Sequence, residues 1–164
     1  MTVNANDEAP LTQRVVAVSK VVTIVPTYDT NAYAVGDLLF DATTIANAAR
    51  FSGGGGVITG VNLIDSNDQG ANALDILFFN TTVDGGTLNS AFALSDADAL
   101  FYVGMVQIAA GNYVDAANNF IASVEANVPF SCAVTSLFAV GVLRSGTPTH
   151  TAGGVTINVY ITQD

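Results

Sequence analysis

The chain has 164 residues, of which half are hydrophobic and only 11% charged, with 14 acidic residues against 4 basic ones and a net charge of −10. That length fits one domain with a core of useful size. The shortage of cations argues against binding nucleic acid directly, because neutralising phosphates needs a basic patch, and it makes an anionic bilayer a poor partner.

Val, Ile, Thr, Phe and Tyr are plentiful and the long helix formers are scarce, which favours strands. The polar residues are mostly Thr, Ser and Asn rather than Lys and Glu. Such a surface suits cover by other subunits. Cys132 is the only cysteine, so no internal disulfide forms. Its apolar surroundings, Pro129 to Val134, predict a buried and inert thiol. The first eight residues lack a basic stretch and an apolar stretch, and so do not read as a signal peptide. No apolar run reaches the length of a membrane span.

Residues 1–11 are polar and end in Ala9-Pro10-Leu11. They read as a flexible arm, with Pro10 and Leu11 as candidate contacts to a neighbouring subunit. Gln13 to Val25 is rich in β-branched residues and predicts one long strand or two joined at Ser19-Lys20. Pro26 ends it. Thr27 to Gly36 reads as a loop anchored by Tyr28 and Tyr33. Gly36-Asp37 signals a turn into a strand at Leu38-Leu39-Phe40. Thr43 to Phe51 fits a short helix or an irregular strand, and the lack of long helix formers favours the strand.

Two strand-like runs follow, Val57 to Ile64 and Ala73 to Phe79, flanking the polar turn Asp65-Ser66-Asn67-Asp68-Gln69-Gly70. They are expected to be the central strands of an antiparallel core. The second is apolar at nearly every position, which suits a strand covered on both faces. Asp84-Gly85-Gly86 is a further turn. Ser95 followed by Asp98 has the spacing of a helix cap and predicts one short helix near 95–101. Phe101 to Ile108 reads as a strand. Tyr113 to Val124 fits a strand or a helical spacing. Pro129-Phe130 is read as opening another run. Thr135 to Leu143 and Val155 to Ile161 are strands, the latter with Val155, Ile157, Val159 and Ile161 on one face.

The whole predicts an all-β, single-domain antiparallel β-sandwich or jelly-roll-like barrel of about eight strands over residues 12–164.

The motifs for chemistry are thin. Gly53-Gly54-Gly55-Gly56 lacks the Lys-Ser or Lys-Thr of a phosphate loop and the helix that should follow. These four glycines are expected to form a mobile loop or a close subunit contact. The 65–70 turn matches the start of a calcium loop, but Ile76 stands where a bidentate Glu is needed. Asp65 and its neighbours are therefore expected to bond to nearby backbone. His150 is the only histidine, too few for the usual imidazole set of a transition metal. Pairing it with Cys132 as a nucleophile is disfavoured by the apolar setting of Cys132. Asp75 interrupts an apolar strand and is the candidate buried structural carboxylate, with Arg50 or Arg144 as its partner. No catalytic, metal or cofactor site is read from the chain, and an enzyme is not expected.

Five segments in order carry a resemblance. They are Ala34-Val35-Gly36-Asp37; Gly55-Gly56-Val57-Ile58-Thr59-Gly60-Val61-Asn62-Leu63-Ile64-Asp65; Asp75-Ile76-Leu77-Phe78-Phe79; Ala93-Leu94-Ser95-Asp96-Ala97-Asp98-Ala99; and the tail from Gly146-Thr147-Pro148-Thr149 to Gln163-Asp164. Together they resemble small virion structural proteins of tailed bacteriophages, the capsid decoration or cement-like auxiliary proteins. The resemblance implies a non-enzymatic protein on the capsid surface, made in the host cytoplasm before assembly. It also implies that the partners are the major capsid protein and copies of the chain itself, with a trimer favoured over a dimer. A tail or neck component is the nearest alternative. A carbohydrate-binding β-sandwich module is the other, with Tyr28, Tyr33, Tyr102, Tyr113 and Tyr160 as its aromatic platform.

Overall fold

Strands dominate, as the β-branched and aromatic content demands. The computed structural model describes residues 17–164. In chain order the elements are β1 (Val18–Ile24), β2 (Leu38–Ile45), β3 (Gly55–Asp65), β4 (Leu74–Phe79), the one-turn helix α1 (Asp96–Ala99), β5 (Tyr102–Ile108), a 3-10 turn at Ala110–Asn112, β6 (Tyr113–Asp115), β7 (Phe120–Ser131), β8 (Leu137–Leu143) and β9 (Val155–Gln163). The arm at 1–11, and with it Pro10 and Leu11, lies outside the described residues, as does the start of the first predicted strand.

The strands form two sheets, ordered β1-β9-β3-β7-β6 and β2-β8-β4-β5. Every neighbouring pair is antiparallel. Among the described residues this is an all-β sandwich of nine strands, in line with the expected count of about eight, and it is not closed into a barrel: no hydrogen-bonded ladder joins the two sheets. The two runs around the 65–70 turn are interior strands, but of different sheets. β3 lies between β9 and β7, and β4 lies between β8 and β5. The Asp65–Gly70 turn therefore carries the chain from one layer to the other.

Alternation explains the core. β9 is buried at every second position, Val155, Ile157, Val159 and Ile161, and partly exposed at those between. These side chains meet Ile58, Val61 and Leu63 from β3 and Phe40, Ile76, Phe78, Leu137 and Leu143 from the opposing sheet. β4 lacks alternation because both its faces are covered. Leu74, Ile76 and Phe78 face the central core. Leu77 and Phe79 belong to a second cluster with Leu38, Val83, Val140, Leu88, Phe92 and Leu94. The segment after β4 thus crosses the outer face of the four-stranded sheet. It also bonds to the start of β2, with the Leu38 N–H donating to the Ser90 carbonyl at 2.8 Å and the Asn89 N–H to the Leu38 carbonyl at 3.1 Å. One sheet edge is blunted in this way.

Three local expectations need correction. After Ile45 the chain leaves the sheet for turns, so Thr43 to Phe51 is strand only at its start. There Asn47 takes a positive φ of 54°, which extended pairing does not allow. Tyr113 to Val124 is a hairpin: β6 and β7 join through residues 116–119, with Ala117 at φ 70°. Asn118-Asn119 and the turn chemistry of Asp115, whose side chain accepts from the Ala117 N–H at 2.8 Å, win over the helical spacing. Pro129 opens nothing. It lies inside β7, opposite Val57, and exposed. α1 forms where its cap predicts, with the Ser95 Oγ accepting from the Asp98 N–H, and lasts one turn, as a short helix should.

The core is filled to the point where one glycine is obligatory. Gly141 is buried in β8, and a Cβ there would overlap the Phe40 ring. Gly141→Ala is expected to cost about 3 kcal/mol, the upper range for overpacking a filled core, read as a lower midpoint in urea unfolding.

Candidate functional site

The glycine stretch meets the rest of the chain at one end of the sandwich. Gly53 is exposed with φ +79°, while Gly54, Gly55 and Gly56 are buried. A Cβ on Gly55 would lie 2.5 Å from the Phe130 carbonyl oxygen, and one on Gly56 would overlap the Thr162 carbonyl. The missing side chains let β7 and β9 close on the start of β3. These close contacts lie within the chain. Gly53 and the exposed Phe51 remain on the surface beside them. Cys132 is buried here. Its N–H donates to the Gly54 carbonyl at 3.1 Å, and burial pushes the thiol pKa up. A protonated thiol is a poor nucleophile.

His150 lies at the other end of β3. Its Nδ1 is 3.8 Å from an Asp65 carboxylate oxygen, and both residues are buried. Eleven residues of extended strand separate this end from the Cys132 end, about 35 Å of chain. Cys132 and His150 therefore never meet. Asp65 is committed to the turn: its two oxygens accept from the Asn67 N–H at 2.9 Å and the Gln69 N–H at 3.1 Å. No cluster of three metal-ligating side chains occurs among the described residues.

Around His150 the aromatic anchors of the 27–36 loop close in. Its ring centroid is 5.0 Å from Tyr28 and 6.4 Å from Tyr33. Tyr33 is well held. Its Oη accepts from the Asp29 N–H at 2.6 Å and donates to the Leu39 carbonyl at 3.1 Å. Tyr28 Oη and His150 Nδ1 have no hydrogen-bond partner. Asp65, Tyr113 and His150 line a space of about 10 Å³, roughly one water molecule. No serine, threonine or cysteine lines it. The Asp-His pair lacks the third member of a triad. Burial lowers the His150 pKa from its ordinary 6.5, with Asp65 opposing the shift. Burial raises those of Tyr28 and Tyr113, and Asp65 adds to both.

Asp75 sits on the outer face of β4, 6% exposed. Arg144, just past β8, donates from Nε to its Oδ2 at 2.6 Å. The arginine side chain is 46% exposed. Solvent therefore screens the pair, and its role is to keep a nearly buried carboxylate bonded.

The five tyrosines form no common platform. Tyr28 and Tyr33 are core residues. Tyr102 lies on the four-stranded sheet, and Tyr113 and Tyr160 lie on the other. The most apolar exposed stretch is instead Leu100, Phe101, Tyr102 and Met105, at 83, 40, 45 and 42% exposure. It runs from α1 along β5, an edge strand. Sequence reasoning placed the helix and the strand but missed this stretch, because its apolar residues read as core. Comparison with known proteins finds no matching family model and no similar curated protein.

Two measurements follow from this geometry. His150 is neutral when buried, so the unfolded chain takes up a proton at a higher pH than the folded one. Its contribution is fully present above about pH 6.5 and falls as the pH drops toward its lowered folded value. The melting temperature is expected to decline from about pH 7 to 5, and His150→Phe to flatten that decline. For the ion pair, Arg144→Met alone is expected to cost about 1–2 kcal/mol, since it strands Asp75. The double variant Asp75→Leu/Arg144→Met should recover most of that loss in denaturant unfolding.

Proposed function

We propose that the chain is a non-enzymatic virion structural protein that binds and stabilises the capsid shell of a tailed bacteriophage. The observation that carries this reading is the apolar stretch from Leu100 to Met105 on the open edge of the four-stranded sheet. A protein with so few charges that exposes four large apolar side chains in six residues has a surface made to be covered. The edge also offers unpaired backbone groups to a strand of another subunit.

The rest of the molecule agrees with this role. A two-layer sandwich with a filled core is a rigid spacer. An acidic body keeps away from packaged nucleic acid. Gly53 and Phe51 supply a second exposed contact at one end of the sandwich. Many weak copies on one shell add up, because each bound copy raises the effective concentration of the next contact. The ordered resemblance to decoration proteins supports the capsid surface over the tail or neck. The self-association that goes with it is a trimer.

Cryo-electron microscopy of the particle whose genome encodes this chain is the direct test. Density for the sandwich on the outer shell, with β5 turned toward a neighbouring subunit, is expected. Absence from every particle, together with a monomer in solution, would overturn the proposal. The double variant Phe101→Glu/Met105→Glu should lose particle binding in co-sedimentation while its stability changes by less than about 0.5 kcal/mol per site.

A further inference from the structure

We propose that the outer face of the five-stranded sheet carries a binding site for a neutral hexose unit of a glycan, centred on Gly60. The site begins with a fault in the sheet. β3 changes register against both of its neighbours at the same level, between Ile58 and Gly60. Against β9, Thr59 is an extra residue, and against β7 two residues, 126 and 127, oppose one. Such bulges bend a strand and re-aim its side chains. Here Ile58 and Val61 stay buried while Thr59 is exposed between them.

Gly60 then has Tyr160 opposite on β9 and Glu125 opposite on β7. With no side chain between them, an open hollow of about 430 Å³ forms, lined by Thr59, Asn62, Ser123, Glu125 and Tyr160 around Gly60. The space suits one sugar ring. Tyr160 is half-buried, and its ring is fixed in place. Asn62 Nδ2 donates to its Oη at 2.8 Å, and Val21 is its neighbour on the far side.

The lining chooses the ligand class. A sugar ring has an apolar C–H face and a rim of hydroxyls. The first suits the Tyr160 ring. The second suits the Glu125 carboxylate as acceptor, the Thr59 and Ser123 hydroxyls as either partner, and the Asn62 amide. No cation lines the hollow, and a carboxylate does, so phosphates and acidic sugars are disfavoured. The hollow is open and shallow, unlike the enclosed apolar pockets that take lipids or drug-like molecules. The proposal does not rest on the virion reading, since it uses the opposite sheet from the β5 edge.

The test is an NMR titration of the ¹⁵N-labelled full chain with glucose, galactose, mannose and N-acetylglucosamine, with glucuronate as the acidic control. At least one neutral sugar is expected to shift the amides of Gly60, Asn62, Ser123 and Glu125 saturably, with a Kd in the millimolar range. Glu125→Ala, an exposed change that spares the fold, and Tyr160→Ala should each weaken binding by about tenfold. Tyr102→Ala, on the other sheet, should leave it unchanged. No saturable shift with any neutral sugar, shifts that survive both variants, or tighter binding of glucuronate would each overturn the proposal.

Discussion

The five-stranded sheet depends on β3. Its backbone bonds on both edges over eleven residues, to β9 on one side and β7 on the other. Its ends fix the two ends of the molecule. At the start, Gly55 and Gly56 allow the neighbouring carbonyls to approach closer than any side chain permits. At the finish, Asp65 turns the chain toward the opposite sheet by accepting two backbone N–H groups. Its middle carries the bulge that hollows the outer face. One strand therefore sets the layer crossing, the sheet curvature and the surface relief.

The polar groups inside follow a different logic at each end of β4 and β3. Asp75 reaches a partially solvated arginine and keeps its charge where water can share the cost. His150 packs beside two tyrosine rings, and burial lowers its pKa. Two surface features stand apart from these buried groups: an apolar edge at β5 and, on the other sheet, a hydroxyl-rich face that carries the Glu125 carboxylate.

Much of the fold was legible because burial in a two-layer sandwich writes itself into the sequence with a period of two. β9 alternates cleanly, and its buried set was readable in full. β4 was readable for the opposite reason, as continuous apolarity marks a strand with two covered faces. That β3 and β4 belong to different sheets was not readable, since the same polar turn can close a hairpin or cross between layers. Ambiguity at Tyr113 to Val124 was settled by turn residues rather than by apolar spacing. The hollow was missed although its signal was present: Gly60 is an isolated glycine inside a strand, a mark of a bulge or of a close approach. The Asp65–His150 proximity joins residues 85 positions apart and leaves no local trace. The exposed Phe101 and Met105 share the alphabet of the core, so only the position of β5 at an edge separates them from it.

The strand order also governs how the molecule comes into being. Among the described residues β9 follows every other strand, yet it lies between β1 and β3 and is the one strand paired with β1. During synthesis the nascent chain must hold β1 unpaired and β3 open along one flank. Pairing that joins such distant segments makes for slow folding, and open strands invite premature association. Among the described strands, β9 is thus the segment that joins β1 and β3 into one sheet.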